Sequence, residues 1–393
     1  MATENNNKTL NVPNLRFPEF SGEWERCSLG DITTNFSRRN KEEVRYPMFS
    51  VTNNRGFVPQ SEQFEDREMV GEDIKAYKII HKNDFAYNPA RINVGSIAKY
   101  NGDEPCMISS LYVCFTADKR LDNEWLMQLL KTPKMNFYYN INGEGGVRVY
   151  LFYPNFARIK TSFPSLQEQQ KISSFLALLD ERIATQIKII EKLESLIRGI
   201  SNNLLYSESG TPVRLGDILS ERSERTKVNN QHEVLSSTVK GIFSQREYFS
   251  KDIASENNVG YKVIRLHDVV LSPQNLWMGN INYNDKFDIG IVSPSYKIFS
   301  IADGYDKRFV AAMLKTHRAL YNYMLVSEQG ASIVRRNLNM EAFEQLVFKM
   351  PPIDKQREIG NAISALQSRL ELAVKVKTAY ERQKQWLLTE MFI

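Results

Sequence analysis

The sequence has few of the residues that most metal and disulfide sites need. Its 393 residues include three cysteines and four histidines. No two cysteines form a CxxC pair, and the histidines lie far apart. An odd set of unpaired cysteines argues against a disulfide framework or a zinc cluster. We therefore expect no metal site.

Long apolar runs and a large excess of one charge are also missing. No run approaches the ~20 residues that span a bilayer, and the opening MATENNNKTLN lacks the apolar stretch of a signal peptide. We expect a cytoplasmic protein that does not contact membranes. The 51 Lys and Arg residues against 46 Asp and Glu give a net charge of +5. That balance is compatible with a nucleic-acid partner without requiring one.

The familiar catalytic motifs are absent. There is no GxxxxGK[ST] phosphate loop and no GxSxG nucleophile motif. An amino-methyltransferase needs an Asn/Asp-Pro-Pro-aromatic loop, of which residues 88–91 (NPAR) keep only the first two. A Mg²⁺-dependent nuclease needs an acid-x-Lys, which residues 73–75 (DIK) match in the first half of the chain only. We therefore expect no catalytic residue and no cofactor bound by this chain.

What the sequence does contain is an internal repeat. The tetrapeptide LGDI at residues 29–32 recurs at 215–218, and LKT at 130–132 recurs at 314–316. Other residues recur in the same order, 184 to 187 positions apart: Asp84/Asp268, Pro89/Pro273, Gly95/Gly279, Ser109/Ser293, Tyr112/Tyr296, Phe115/Phe299, Glu144/Glu328, Gly146/Gly330, Pro164/Pro351, Gln169/Gln356 and Ile172/Ile359. Such ordered matches indicate a tandem duplication of a unit of roughly 185 residues.

Each repeat has short β-rich runs, then a short helical pattern, then a long one. The β-rich runs lie at 78–80, 110–115, 261–264, 269–271 and 296–301, the short helices at 123–130 and 306–314, and the long helices from 167 to about 205 and from 354 to about 391. Apolar residues three and four apart mark both long segments, which is typical of a coiled-coil seam. Each long helix would span ~60 Å.

These patterns predict an α+β fold with two tandem α/β domains separated by two long helices. The apolar stripes must be buried, either against each other within the chain or against copies from another chain. We favour an antiparallel intramolecular coiled coil with pseudo-two-fold symmetry. The predicted segments are a first domain over 1–163, a first helix over 164–206, a second domain over 207–350 and a second helix over 351–393.

Several motifs resemble one known family, the specificity (DNA-recognition) subunit of type I restriction–modification systems. The motifs are an opening at 13–20 (PNLRFPEF) with Gly22 and Trp24, the two LGDI segments as starts of target recognition domains, and the helix openings at 164–172 (PSLQEQQKI) and 351–359 (PPIDKQREI). The resemblance covers essentially the whole chain. The second helix opening departs mildly, with Asp-Lys in place of a Gln-Glu pair.

The resemblance implies a non-catalytic subunit that binds double-stranded DNA. Members of the family bind two methyltransferase subunits, which carry S-adenosylmethionine and methylate adenine. Restriction subunits complete an ATP-dependent translocating nuclease, so S-adenosylmethionine, ATP and Mg²⁺ are expected on the partner subunits. Each recognition domain would recognise one half of a bipartite target, and the paired helices would set the gap between the halves.

DNA affinity should come from Lys and Arg on phosphates, and specificity from Arg, Asn and Gln on base edges. The framework residues persist between the repeats while such residues in the loops differ. The candidates are Arg38, Arg39, Lys41, Arg91, Asn93 and Arg148 in the first repeat, and Arg222, Arg225, Gln274, Asn275, Trp277, Arg335, Arg336 and Asn337 in the second. Each basic residue could instead be solvated surface, and Trp277 could be core, groove wedge or stacking platform.

Two other functions fit parts of the pattern. A coiled-coil scaffold with two protein-binding heads would explain the repeat, but it has little reason to lose similarity in the Arg- and Asn-bearing loops. A fused nuclease–methyltransferase fragment is disfavoured by the incomplete Asn-Pro loop and the unrepeated acid-x-Lys.

Overall fold

The computed structural model describes residues 10–63, 74–145, 149–204, 210–248, 257–329 and 336–393. The chain divides into two compact units. Unit 1 comprises Met1–Gln186 with Val376–Ile393, and unit 2 comprises Ile187–Lys375. Each long helix therefore contributes one segment to each unit. Within the described ranges, every helix is too short or too polar to span a membrane.

The first repeat alternates short strands with short helices before the first long helix. Its elements are β1 Glu25–Ser28, α1 Leu29–Ile32, β2 Thr33–Phe36, β3 Phe49–Thr52, β4 Gly56–Pro59, α2 Gln60–Gln63, β5 Lys78–Ile80, β6 Phe85–Tyr87, the 3-10 helix η1 Ile92–Val94, β7 Ile97–Lys99, β8 Cys106–Ile108, β9 Val113–Ala117, α3 Asn123–Leu130, α4 Pro133–Asn142, α5 Tyr153–Ala157, β10 Lys160–Phe163 and α6 Leu166–Leu204.

The second repeat follows the same order of elements, with two strands added. Its elements are β11 Thr211–Arg214, α7 Leu215–Ile218, β12 Leu219–Arg222, β13 Leu235–Thr238, β14 Gly241–Ser244, α8 Gln245–Tyr248, β15 Lys262–Arg265, β16 Val269–Leu271, the 3-10 helix η2 Leu276–Met278, β17 Ile281–Tyr283, β18 Ile289–Val292, β19 Lys297–Ile301, α9 Lys307–Leu314, α10 His317–Leu325, β20 Ser327–Gln329, β21 Arg336–Leu338, α11 Met340–Glu344, β22 Val347–Met350 and α12 Ile353–Glu390. The added strands are β20 and β21, between α10 and α11. The predicted duplication and the mixed α+β class are confirmed.

A four-stranded antiparallel sheet lies at the centre of each unit, in the order β2-β9-β6-β7 in unit 1 and β12-β19-β16-β17 in unit 2. Two-stranded antiparallel pairs surround it, β1 with β10, β3 with β4 and β5 with β8 in unit 1, and their equivalents in unit 2. Aromatic side chains fill the cores, including Phe115 and Trp125 in unit 1 and Phe299 and Phe309 in unit 2.

The repeated glycine of LGDI is explained by close packing. A Cβ on Gly30 would lie 3.0 Å from the Cβ and 3.1 Å from the carbonyl oxygen of Ala157 in α5. A Cβ on Gly216 would lie 3.1 Å from the Cβ and 3.3 Å from the carbonyl oxygen of Glu344 in α11. Only glycine lets these short helices approach so closely without displacement.

The repeated Pro and Gln form a joint between each domain and its long helix. In unit 1, Gln169 Nε2 donates to the Pro164 carbonyl at 2.9 Å, and Gln169 Oε1 accepts the Asp122 N–H at 2.8 Å. In unit 2, Gln356 Nε2 donates to the Pro351 carbonyl at 2.8 Å and Oε1 accepts the Asp306 N–H at 3.0 Å. Asp122 is the N-cap of α3, and Asp306 is the N-cap of α9. The joint therefore fixes the start of the long helix against a second helix.

The helices α6 and α12 lie within one residue of the helical patterns that run from 167 to about 205 and from 354 to about 391 in the sequence. Along α6 from residue 183 onward, Ile183, Gln186, Ile190, Leu193 and Ile197 are half-buried at spacings of three and four, while their neighbours are exposed. In unit 1 the helices pack antiparallel, since Asp180 contacts Lys384 while the later Arg182 contacts the earlier Tyr380. Intramolecular antiparallel pairing is thereby confirmed within unit 1.

Two details of the sequence prediction were wrong or missing. Residues 110–112 form a turn rather than the start of a strand, because the Tyr112 N–H bonds to the Ser109 carbonyl at 3.2 Å. The helices α4, α5, α10 and α11 were not predicted, and neither were the one-turn helices α1, α2, α7 and α8. The sequence of α4, PKMNFYYNIN, is poor in strong helix formers. Its burial of Met135 and Tyr139 in the core compensates for that weakness.

Candidate nucleic-acid interface

The first candidate arginines lie at the ends of equivalent strands and bind buried aspartates. Arg38 donates to both oxygens of Asp84, at 2.7 and 2.8 Å. Arg222 binds Asp268 at 3.0 and 3.1 Å. Burial raises the pKa of the Asp268 carboxyl, although Arg222 opposes that shift. These guanidiniums therefore have structural partners, and a DNA contact by either stays a prediction.

The other basic candidates near Arg38 and Arg222 are exposed. Arg39 and Lys41 follow β2 with exposed side chains, and the backbone of Arg39 forms a bridge with Lys78. Arg225 is exposed and donates from Nη1 to the Gly260 carbonyl at 2.8 Å.

In unit 1 the loop that leads to the repeated glycine, Gly95, contains the 3-10 helix η1. Arg91 is exposed at the N-cap of η1, and Asn93 Nδ2 donates to Asn140 Oδ1 of α4 at 3.0 Å. Gly95 ends η1 at φ +97°, a left-handed conformation that explains its repetition as Gly279 at φ +93°. Arg148 lies outside the described residues.

In unit 2 the structure brings the candidates from two distant segments together. The Arg336 guanidinium lies 5.1 Å from the ring centroid of Trp277, and the Arg336 N–H donates to the Gln274 carbonyl at 3.2 Å. Gln274 and Asn337 are exposed, whereas Asn275 is half-buried. Arg335 lies outside the described residues. Trp277 is half-buried beneath a cation, a position intermediate between core and surface.

Both units build this surface from the same two pieces of backbone. In unit 1, Glu144 and Tyr150 form a bridge, and the Leu151 N–H donates to the Pro89 carbonyl at 3.0 Å. In unit 2 the hairpin β20-β21 takes the same place beside the loop of Gln274. The structure thus joins the loop before the repeated glycine to the hairpin after α4 or α10. We call this combination the paired loops (residues 88–95 with 143–145 and 149–151, and 272–279 with 327–329 and 336–338).

Sequence reasoning missed the helices that support the paired loops. The 3-10 helix η1 packs on α4, and η2 packs on α10. No sequence motif marks α4 or α10. The only available signal was that their side chains lie at equivalent positions, 184 residues apart.

The described residues offer no cluster of three His, Cys, Asp or Glu side chains able to hold a metal ion. The three cysteines are free thiols. Burial raises the pKa of Cys106 and of Cys114 to about 12. It also raises the pKa of Cys27 to about 11, with Asp31 and Glu25 adding to the shift.

The fold and the paired loops define a class, a duplicated α+β protein that presents equivalent loop surfaces on a shared framework. Residues 22–195 match the family model of the type I restriction modification DNA specificity domain. The chain is 20% identical over 97% of its length to a Methanocaldococcus jannaschii protein described as the MjaX type I restriction enzyme specificity subunit, covering 95% of that protein.

Solved structures show the same fold. The S subunit of a type I restriction–modification system from M. genitalium matches with a TM-score of 0.61 and 14% identity, covering 97% of this chain and 99% of that one. A chain from a structure of type I R-M complex assembly matches with a TM-score of 0.53 and 14% identity, over 93% and 96% of the two chains. Residues 22–195 thus match the type I restriction modification DNA specificity domain, and the whole chain is similar to type I specificity subunits in sequence and in fold.

Proposed function

We propose that this chain recognises a bipartite DNA sequence, with unit 1 binding one half-site and unit 2 the other. The observation that carries the proposal is the contrast within the paired loops. Their backbone framework is the same in both units, while the side chains they present differ, Arg91 and Asn93 against Gln274, Trp277 and Arg336. Different donors and acceptors on one scaffold suit two domains that recognise different base sequences.

The division of labour among these residues follows from their chemistry. Exposed Arg39, Lys41 and Arg225 suit phosphate contacts, which supply affinity without base specificity. Gln274, Asn337 and Arg91 are exposed on the paired loops and suit hydrogen bonds to base edges. Arg336 is held over Trp277, so its remaining donors are oriented before any DNA arrives.

The catalytic steps would belong to partner subunits. We propose that two methyltransferase subunits carrying S-adenosylmethionine bind this chain and methylate adenine at the sites it selects. Restriction subunits using ATP and Mg²⁺ would add cleavage. The chain itself would hold no cofactor, and the long helices would set the number of unspecified base pairs between the half-sites.

The test is methylation-sensitive long-read sequencing of DNA from cells that express this chain with its cognate methyltransferase subunit. Cells with the methyltransferase alone are the control. We expect a chain-dependent methyladenine motif split by a fixed gap. A stable complex of the two proteins without any chain-dependent motif would contradict the proposal and favour a protein scaffold.

A further inference from the structure

One exposed surface recurs in both units with the same chemistry. Val94, Phe137 and Ile141 in unit 1 are 53%, 61% and 59% exposed. The residues 184 positions later are Met278, Tyr321 and Leu325, and they are 41%, 57% and 64% exposed. Exposed large apolar side chains are unremarkable one at a time. Three equivalent ones in each unit form a repeated feature, which we call the anchor face.

The anchor face is contiguous within each unit. Phe137 and Ile141 lie four residues apart on α4 and therefore on one side of that helix. The Asn93–Asn140 hydrogen bond ties η1, which carries Val94, to the same side. In unit 2, a Cβ on Gly279 would lie 3.7 Å from Cδ1 of Leu320, which places the end of η2 against α10.

The chain segments that carry the anchor face contain cations and no acids. Residues 88–96 and 131–142 contain no Asp or Glu, and neither do the equivalent stretches 272–280 and 315–326. The whole chain carries 46 acidic residues among 393. Four equivalent stretches that contain no acidic residue therefore form a distinct surface. Cations recur at equivalent positions, Lys131 with Lys315 and Lys134 with Arg318. The first acid after residue 142 in the sequence, Glu144, accepts a hydrogen bond from Asn155 at 2.7 Å. Asp180 of α6 acts electrostatically on Lys131.

We propose that the anchor face binds DNA in both units without regard to sequence. An apolar centre with cationic, acid-free surroundings complements a polyanion whose sugars and base steps accept apolar side chains. The sugar-phosphate backbone is the same at every half-site, so a surface that contacts it is expected to persist through the duplication. The adjoining paired loops, which would contact the bases, are expected to diverge. This inference rests on the proposed function and adds to it a sequence-independent component.

The test uses the full chain in complex with its methyltransferase subunits. The variant Phe137→Ser/Ile141→Ser removes the apolar centre in unit 1, and Leu111→Ser is its control because Leu111 is 78% exposed outside the anchor face. Fluorescence anisotropy would measure binding to two duplexes. One carries the sequence motif found by methylation sequencing, and the other has both half-sites scrambled. We expect the double variant to bind both duplexes about tenfold more weakly because it loses buried apolar area. The ratio between the two affinities should not change, and the control should bind as the wild type does.

Two further variants complete the design. Lys134→Gln should reduce the slope of log affinity against log salt by about 0.9, the loss of one phosphate contact. Tyr321→Ser/Leu325→Ser should repeat the apolar result in unit 2, and it covers the case in which the unit 1 variant fails to fold. Thermal unfolding checks that each variant is folded.

The outcomes separate the two ideas. Unchanged binding of folded double variants to both duplexes would overturn the anchor face. Loss of the methyltransferase subunits during purification, with DNA affinity retained, would overturn it as well and assign the surface to a protein partner. If the wild-type complex showed no preference for the motif, the proposed function would fail, while binding to the scrambled duplex would still decide the anchor face.

Discussion

Asp84 and Asp268 occupy equivalent turns, and each accepts hydrogen bonds from an arginine and from a backbone N–H. In unit 1 the backbone donor is His81 at 2.7 Å, and in unit 2 it is Arg265 at 2.7 Å. The residue before each aspartate has positive φ, +70° at Asn83 and +76° at His267. The carboxylate therefore holds a strained turn closed, which explains why this aspartate persists in both repeats.

Asp84→Asn should lower the free energy of unfolding by about 2 kcal/mol, because the buried carboxylate loses its charged hydrogen bonds to Arg38. Urea denaturation followed by circular dichroism measures the effect. The matched control is Asp103→Asn, whose side chain is 85% exposed and pairs with Lys82 at the surface. Surface pairs contribute little, so that variant should unfold like the wild type. Equal effects of the two substitutions would contradict the structural role of Asp84.

The cysteines should be inert in the folded protein. With the pKa of Cys106 and Cys114 raised to about 12 by burial, and that of Cys27 raised to about 11, only about one thiol in a thousand or fewer is ionised at pH 8. A chromogenic disulfide reagent should therefore label none of them within minutes, and all three after unfolding in denaturant. Rapid labelling of one native thiol would contradict this burial.

For individual residues, the sequence predicted which positions belong to the shared framework. It did not predict which contacts their side chains make. The repeat identified Asp84, Gly95 and Gln169 as framework residues, because framework positions tolerate little change. It could not show that Arg38 faces Asp84, since that contact joins residues 46 positions apart in sequence. Nor could it show that Trp277 and Arg336 meet, because tertiary folding alone brings them together.

The long helices are the elements that the sequence predicted most accurately, since the apolar period of three and four extends over many turns. One irregularity in the second stripe has a structural reason. Lys384 occupies a seam position of α12, where it donates to both oxygens of Asp180 in α6 at 2.6 and 2.8 Å. A single polar pair in an apolar seam favours one register over its alternatives.

Asp180→Lys should destabilise unit 1 because it places two ammonium groups together in the seam. We expect a loss of about 1 kcal/mol, seen as a fall of about 2–4 °C in the thermal midpoint. The charge swap Asp180→Lys/Lys384→Asp should recover most of that loss. Glu181→Lys, at the adjacent exposed position, is the control. A swap no more stable than the single variant would show that the pair does not act as a pair.

The short helices α4 and α10 show where sequence patterns fail. A helix of ten residues with Pro at its start and several Asn and Tyr residues has a weak period and weak propensity. Core contacts of Met135 and Tyr139, and a cap from Thr132 to the Met135 N–H at 3.2 Å, stabilise α4 instead. The core that receives Met135 and Tyr139 is built from residues distant in sequence, so the surface that α4 presents could not be predicted.

For the molecule as a whole, the proposed spacing role of the helices makes a quantitative prediction. Four residues inserted into both long helices where the units divide, after Gln186 and after Lys375, add about one turn or ~6 Å. The methylated motif should then gain roughly two base pairs of unspecified gap with both half-site sequences unchanged. Methylation sequencing of cells expressing the variant measures both. An altered half-site with an unchanged gap would contradict the spacing role.

The joint made by Pro164 with Gln169, and by Pro351 with Gln356, has a consequence for heredity. Because each joint uses the same contacts, a recognition domain from a related gene could replace either one while the long helices keep their starts. If each unit recognises one half-site as proposed, a single recombination event inside the coding sequence would give a cell a new combination of half-sites while both joints are kept. Diversity in such a lineage would accumulate by exchange of whole segments as well as by point mutation.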